Sequence, residues 1–290
     1  MIFAASAAAI VCYVAALLIQ WRLLNSYQPD SPELAVTNTS AASAAHLPLP
    51  ASPYPSPPAP NRMTYGLAVV GLVCHAFACY KLVLAEEGIN LDLIAVSNLV
   101  SFFMLLMVSG AGLRLPVVNL NLFIYPLAVL FLVMALLFPP SGTGYTDIDG
   151  YLATHILVSL GAYAMLMMAA FQSGLLATQE KYLRSRSFGV LKILPPLEYM
   201  EQLLVTMLWV GLVLLTASIA TGFAFLDVSS AVAHHFVLTS ASWLTYATFL
   251  GGRYLFGWRG LTAVRWTTTA FILLLLGYLG SKFVLEYLLS

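Results

Sequence analysis

The segment HILVSLGAYAMLMMAAF, residues 155–171, places one histidine at the edge of an almost unbroken apolar run. With its flanks the run reaches the ~20 residues that a helix needs to cross a hydrocarbon core of ~30 Å. The whole chain has the same character, since 61% of its 290 residues are hydrophobic and only 8% are charged. Soluble domains carry about 25% charged residues. The sequence therefore predicts a polytopic membrane protein.

Eight apolar runs divide the chain. Their approximate ranges are 2–21, 64–84, 92–111, 117–138, 152–177, 202–225, 235–255 and 266–288. Lipid offers no hydrogen-bond partners, so the backbone groups have to be paired within each run, and a helix achieves this. We therefore predict an all-α integral membrane bundle of about eight transmembrane helices.

The charged residues between the runs predict the orientation of the bundle. The connections after runs 1, 3, 5 and 7 contain Arg22, Arg62, Arg114, Lys181, Arg184, Arg186, Lys192, Arg259 and Arg265. The connections after runs 2, 4 and 6 contain Glu86, Glu87, Asp147, Asp149 and Asp227, without Lys or Arg. Because basic loops are retained in the cytoplasm, both termini are expected to be extracytoplasmic.

A segment rich in proline, alanine and serine, residues 25–62, follows the first run. It cannot bury enough apolar surface to fold, and we expect a disordered cytoplasmic insert. It separates a first transmembrane helix, residues 1–24, from a seven-helix membrane domain, residues 63–290.

The three cysteines lie inside apolar runs, where they are expected to act as small buried side chains. A net charge of zero gives no basis for a nucleic-acid partner.

Three histidines are expected at the extracytoplasmic ends of two runs. His155 begins run 5, and His234 and His235 begin run 7, which enters the membrane in the same direction. Neutral imidazole is the commonest metal ligand in proteins, and haem iron accepts it as an axial ligand. We therefore predict His155 and His235 as haem iron ligands, with His234 as a weaker candidate for cofactor binding.

Helical spacing separates His235 from His234. Thr239, Ser242, Tyr246 and Arg253 follow His235 by four, seven, eleven and eighteen positions. At 3.6 residues per turn these positions fall within about 40° of one another. In lipid, such a polar stripe faces other helices or a water-filled cavity. We therefore expect His235 to point into the bundle.

Run 5 carries a shorter stripe made of His155, Ser159 and Tyr163. In a haem pocket, Tyr163 and Tyr246 would supply hydrogen bonds. The alternative is that both stripes only join helices through hydrogen bonds. The residues alone leave these two interpretations open.

His75 lies near the middle of run 2. An ionisable residue inside the membrane is by default a candidate functional residue, so His75 is a further candidate for cofactor binding. A small-solute transporter with His75 and Asn98 at its binding site is another interpretation. The structural alternative is a neutral histidine hydrogen-bonded to Asn98 or Ser101.

Two segments near the cytoplasmic face carry recognisable signals. The segment LPPLEYMEQLL, residues 194–204, has prolines followed by Glu198 and Glu201, which is typical of a helix start. The connection that contains it, residues 179–200, is also a candidate contact site for a cytosolic partner. The segment GGRYLFGWRGLTAVRW, residues 251–266, combines tryptophan and arginine as interfacial anchors do. A headgroup- or propionate-binding role is the alternative for the latter.

Taken together, several segments resemble the YpjD/HemX branch of the cytochrome c assembly superfamily, which includes CcsA and CcmC. They are residues 154–183, 194–204, 237–266 and 277–289, with LVCHAFA at 72–78 and AVSNLVSFF at 95–103. The GWRG turn is the most specific of these pieces. The resemblance implies an eight-span protein of the bacterial inner membrane in a haem-handling superfamily. It also implies cytochrome c maturation or haem-biosynthesis proteins as partners.

The chain also departs from that resemblance. Haem-exporting relatives carry a tryptophan-rich segment between the spans that match runs 6 and 7, where this chain has only LDVSSAVAHH. Only one of the four histidines of those relatives has a clear counterpart in this chain, namely His155. The resemblance therefore assigns no catalytic residue here. From the histidines at one face together with the resemblance, we expect a haem-binding protein that supports cytochrome c or haem biogenesis. The alternative is a non-catalytic scaffold or regulator with a decayed haem site, which tethers a cytosolic partner through residues 179–200.

Overall fold

The computed structural model describes most of the membrane-embedded chain. The described residues are 2–26, 62–85, 88–113, 115, 117–138, 150–184, 195–223 and 230–280. Within these ranges, only the backbone is described for residues 24–26, 85, 118, 230–234 and 279–280. The predicted insert therefore lies outside the described residues except at its two ends. The same applies to the middle of the 179–200 connection and to the acidic connections at 147–149 and 227.

The described residues form eight α-helices, each of which overlaps one predicted run. They are α1 (Ile2–Ser26), α2 (Arg62–Val83), α3 (Leu93–Ala111), α4 (Asn121–Leu137), α5 (Gly150–Arg184), α6 (Leu197–Phe223), α7 (Ser230–Phe256) and α8 (Leu261–Leu275). A π-helical turn, Leu276–Gly280, continues α8. The predicted helical architecture is thereby confirmed.

Six of these helices are long and apolar enough to cross a membrane. The six segments are Ile2–Leu23, Arg62–Val83, Leu93–Ala111, Gly150–Arg184, Leu197–Phe223 and Leu261–Tyr278. Helix α4 is apolar but has 17 residues, and a short 3-10 turn, Val118–Leu120, precedes it directly. Helix α7 has 27 residues and carries the polar stripe that begins at His235. The chain is thus a multi-pass membrane protein.

Two local features differ from the sequence-based expectation. Helix α5 continues to Arg184 and α6 begins at Leu197, so the connection between them is shorter than residues 179–200. The amide of Gln179 donates to the carbonyl of Pro195 (2.9 Å), which ties the end of α5 to the start of α6. A two-residue antiparallel ladder, Leu84–Ala85 with Gly88–Ile89, was also not predicted. Gly88 has φ of 134°, which L side chains rarely adopt.

The helices pack as two groups of four. Helices α1 to α4 pack against one another, α5 to α8 do the same, and α3 joins the groups through its contact with α5. Small buried residues lie where helices approach closely, as Ala162, Ala164 and Ala169 of α5 do. In a membrane such residues allow backbones to approach and gain van der Waals contacts.

The turn between α7 and α8 is tied to α6 by one carboxylate. Glu201 Oε1 accepts the backbone N–H of Gly260 at 2.8 Å, and Glu201 Oε2 lies 3.7 Å from Arg253 Nη1. Arg253 Nη1 also lies 3.3 Å from the carbonyl oxygen of Trp258, to which it donates. Glu201 is only 8% exposed. The sequence pattern predicted that Glu201 would be an acidic residue favourable to the start of α6. In the structure, its carboxylate holds the GWRG turn in place.

Replacing Glu201 with alanine is expected to destabilise the protein. The substitution leaves the N–H of Gly260 and the guanidinium of Arg253 without their carboxylate, at a cost of about 1–3 kcal/mol. Thermal unfolding in detergent should show a melting temperature lowered by a few degrees. Glu198, an exposed acid in the first turn of the same helix, provides the matched control. Equal shifts for Glu198→Ala and Glu201→Ala would contradict the proposed tie.

Candidate functional site

A cavity of about 150 Å³ lies where the two helix groups meet. Its walls come from α3, α4, α5, α6, α7 and the π-helical turn. Most of its lining is apolar, including Val100, Phe131 and Leu215. The polar side chains on its wall are His155, Ser159, Tyr163, Ser97, Ser218, His235, Thr239 and Tyr278. The two histidines predicted as a pair thus line one cavity.

His155 is oriented by the last turn of α6. Its Nδ1 lies 3.0 Å from the hydroxyl oxygen of Thr221. That hydroxyl donates its single proton within its own helix, where the carbonyl oxygens of Ala217 and Ser218 lie at 2.8 and 3.0 Å. Thr221 therefore accepts from His155, and Nδ1 carries the imidazole proton. In the neutral ring, Nε2 then holds a lone pair.

Gly222 makes room for the His155 ring. A Cβ at Gly222 would approach His155 Cε1 to 3.2 Å, which is tighter than most contacts in proteins. Any larger side chain there would have to displace the imidazole. Thr221 and Gly222 together therefore set the position and the tautomer of His155.

His235 is oriented by the π-helical turn. Its Nδ1 lies 2.9 Å from the carbonyl oxygen of Gly277. A carbonyl only accepts, so Nδ1 is again the protonated nitrogen and Nε2 holds the lone pair. The carbonyl that accepts this bond belongs to the π-helical turn. Such turns are frequent at functional sites. A Cβ at Gly277 would come within 3.2 Å of Leu238 Cβ, so α7 and this turn are in close contact.

The two imidazoles therefore share one chemical state. Each donates from Nδ1 to an oxygen of the protein, which is the arrangement that orients metal-bound histidines. Within the part of the chain that the structure describes, no group of three or more His, Cys, Asp or Glu side chains is placed to hold a metal ion. The candidate metal donors on the wall of this cavity are therefore the two imidazole nitrogens.

The polar contacts between α5 and α6 follow the register of two antiparallel helices. His155 meets Thr221, and one turn further along α5 the hydroxyls of Ser159 and Ser218 are 2.6 Å apart. Near the other ends of the same helices, the amide of Gln172 donates to the carbonyl of Met200 at 3.2 Å. Sequence reasoning missed Thr221 and Ser218. Matching the depths of run 5 and run 6 would have identified them.

The polar stripe of α7 faces the interior, as its helical spacing predicts. Thr239 is buried and its hydroxyl has no hydrogen-bond partner among the described residues. It lines the cavity and so offers a polar group to whatever the cavity holds. Ser242 is also buried, and its hydroxyl donates to the carbonyl of Ala270 at 2.7 Å.

The predicted tyrosines occupy different positions. Tyr163 lines the cavity, but its hydroxyl donates to the carbonyl of Leu274 at 3.0 Å. Tyr246 is fully buried and is not part of the cavity wall. Its hydroxyl has no partner within the described ranges. The backbone of His234 belongs to α7, whereas its side chain lies outside the described atoms.

His75 lies in the other half of the bundle and does not line the cavity. It is fully buried in α2, and its Nδ1 is 3.3 Å from the hydroxyl of Tyr13 in α1. Its ring also meets Phe102, with the ring centroids 5.9 Å apart. Asn98 lies nearby, but Ser101 donates to the carbonyl of Asn98 instead of to His75. The contact with Tyr13 was not predicted from the sequence.

Comparison with known proteins places this architecture in a family. The model of the family described as Cytochrome C assembly protein matches residues 66–289. The chain belongs to this family. The resemblance expected from the sequence is thereby confirmed, and the match includes α7, the π-helical turn and both cavity histidines.

Two relatives illustrate the family relation. The inner membrane protein YpjD of Escherichia coli (strain K12) is 30% identical over 228 residues, which cover 77% of this chain and 87% of YpjD. An uncharacterised 28.8 kDa protein of Azospirillum brasilense, from a nifR3-like 5′ region, is 35% identical over 141 residues, or 47% of this chain and 52% of that protein. No solved structure matches the chain. With its spanning helices, this member of the cytochrome c assembly family is a multi-pass protein of the bacterial inner membrane.

Proposed function

We propose that the cavity binds haem between His155 and His235, and that the protein supports cytochrome c or haem biogenesis. The observation that supports this proposal most directly is that both imidazoles are protonated at Nδ1 and leave Nε2 available as a ligand. Both rings are held through Nδ1, by Thr221 and by the carbonyl of Gly277. Both residues line one cavity, and the Nε2 lone pair of each neutral ring is the group that would bind a haem iron held there.

The residues around the histidines have distinct roles in this proposal. Bound haem would supply an iron centre for electron transfer or ligand exchange. Thr221 and Gly277 hold the two rings and raise the basicity of their free nitrogens. Apolar side chains such as Val100, Phe131 and Leu215 keep water out. The unpaired hydroxyl of Thr239 can donate to an acceptor in the cavity.

Two imidazole nitrogens are suitable ligands for haem iron, but the cavity is small for a haem. Its 150 Å³ is below the roughly 300–1,000 Å³ of a typical pocket for a larger organic ligand. Binding of a whole macrocycle therefore requires the ends of α5, α6 and α7 near the histidines to separate.

The membrane arrangement that accompanies this proposal has eight spans and both termini outside the cytoplasm. Helices α4 and α7 would then also cross the bilayer. The positive charges of the connections after runs 1, 3, 5 and 7 support this orientation. It places the histidine cavity near the extracytoplasmic face and the GWRG turn near the cytoplasmic one.

Haem titration of the purified protein tests the proposal directly. Haemin added to the protein in detergent should produce a Soret band that saturates at one haem per chain. The band should sharpen and shift on reduction, as expected for two imidazole ligands. The same titration of His75→Ala, which removes an imidazole outside the cavity, should give an unchanged band. Absence of a Soret band, both after expression with haem supplied and after haemin addition, would refute the proposal.

A second function, a membrane scaffold with a decayed haem site, is favoured by the small cavity volume. On this proposal the protein tethers a cytosolic partner through the connection between α5 and α6. Deletion of residues 186–192, which lie between the described ends of these helices, separates the two functions in a complementation assay. A scaffold loses activity on this deletion and keeps it when both cavity histidines are replaced. A haem-binding protein shows the opposite pattern.

A further inference from the structure

A second cavity lies about 27 Å along α7 from His235, counting 1.5 Å per residue. Its volume is about 290 Å³, and its lining comes only from α6, α7 and the turn that follows. The lining residues are Val205, Trp209, Leu250, Arg253, Tyr254 and Arg259. It is thus separate from the histidine cavity and lies near the opposite face of the membrane.

The two arginines give this cavity a positive charge. Arg253 is half-buried and held in place by the carbonyl of Trp258 and by Glu201. Glu201 also receives the N–H of Gly260, so its negative charge is shared between two donors. Arg259 is exposed, and within the described ranges it has no ion pair like that of Arg253 with Glu201. One anchored and one exposed guanidinium therefore line the same space.

The remaining walls are apolar and aromatic. Val205 and Leu250 line the cavity from α6 and α7. The side chain of Trp209 is 48% exposed and that of Tyr254 is 88% exposed. Tryptophan and tyrosine prefer the level of the lipid headgroups, with apolar atoms toward the acyl chains. The cavity therefore combines cationic groups with side chains suited to the edge of a bilayer.

We propose that this cavity binds the phosphate of an anionic phospholipid and that the acyl chains of the lipid run along Val205 and Trp209. Arginine matches phosphate geometry through paired N–H donors. The positive charge of Arg253 is partly balanced by Glu201. The exposed guanidinium of Arg259 therefore supplies most of the attraction for the phosphate. Free inorganic phosphate offers the same anionic oxygens but gains nothing from the apolar and aromatic wall, so the structure favours the lipid. This proposal is independent of haem binding.

Lipid binding to the purified full-length protein tests it. Native mass spectrometry in detergent should show phosphatidylglycerol bound more tightly than phosphatidylcholine. A cationic side chain near a membrane surface is worth about 1 kcal/mol, so Arg259→Gln should weaken phosphatidylglycerol binding about fivefold. Arg265→Gln removes the same charge from an exposed position on α8 outside the cavity, and it should change the affinity less than twofold.

Each outcome of this experiment bears on the proposal. Equal binding of phosphatidylglycerol and phosphatidylcholine by the wild-type protein would overturn it. Equal losses in Arg259→Gln and Arg265→Gln would also overturn it, because the attraction would then be general to the basic face. Displacement of the lipid by millimolar inorganic phosphate would show that the site recognises the anion alone. An unchanged melting temperature of Arg259→Gln in lipid-free detergent excludes a folding defect as the cause.

Discussion

Replacing both His155 and His235 with alanine is expected to abolish haem binding, with the affinity for haemin falling at least about 100-fold. Loss of an outer partner of a metal ligand already costs about 10–100-fold in affinity, and this variant removes both ligands themselves. Each single variant should retain weaker haem binding with a shifted Soret band, because one imidazole remains. Haemin titration followed by absorption spectroscopy measures both effects.

The control for this prediction is His75→Ala, which removes a fully buried imidazole from the other helix group. Its Soret band and haemin affinity should equal those of the wild-type protein. A full Soret band in the double variant would show that haem binds elsewhere, and the assignment of the two ligands would be wrong. Circular dichroism of all variants establishes that the helices are retained.

A variant that leaves both imidazoles in place tests the geometry more finely. Thr221→Val removes the hydroxyl that accepts from His155 Nδ1 and keeps the shape of the side chain. We expect roughly 10–100-fold weaker haem binding, because the ring loses its fixed tautomer and orientation. Thr206→Val, an exposed threonine of the same helix that bonds only to its own backbone, should have no effect. A merely structural role of Thr221 would lower stability without changing the spectrum.

Much of the fold could be predicted because lipid reduces the possibilities. Each apolar run had to become a helix, and within the described residues a helix overlaps each of the eight runs. The positions of His155 and His235 on one cavity followed from two simple quantities, the depth of each residue along its helix and the direction of its polar stripe. Family membership was also predictable, since the GWRG turn and the flanking segments are specific.

The hydrogen-bond partners at the cavity could not be predicted in the same way. The partner of His235 is a backbone carbonyl in a π-helical turn, and no residue type predicts either the turn or which carbonyl accepts from His235. The partner of His75 is Tyr13, which comes from α1 and is separated from α2 by the long insert. Such contacts depend on how far each helix is rotated about its own axis. That rotation is set by the packing of many small side chains together.

The α1–α2 interface gives the second large expected effect, a loss of stability in Gly71→Ala. A Cβ at Gly71 would lie 2.7 Å from Cε1 of Tyr13 and 3.1 Å from Cβ of Cys12. The ring of Tyr13 is fully buried, and it stacks on Tyr125 at a centroid distance of 5.5 Å. Since neither the ring nor the Cβ of Cys12 can withdraw, α1 and α2 have to separate. Overpacking of this kind costs about 1–3 kcal/mol.

Gly66 allows this prediction to be tested by the same chemical change in the same helix. A Cβ at Gly66 would meet nothing within 4 Å, so Gly66→Ala should raise the stability by about 0.4–1 kcal/mol through a more restricted unfolded chain. The two variants should therefore shift the melting temperature in detergent in opposite directions, by a few degrees each. Shifts of the same sign would mean that α1 does not pack on α2 through Gly71. Because Tyr13 also contacts His75, the separation of α1 and α2 in Gly71→Ala should also loosen the packing around that imidazole.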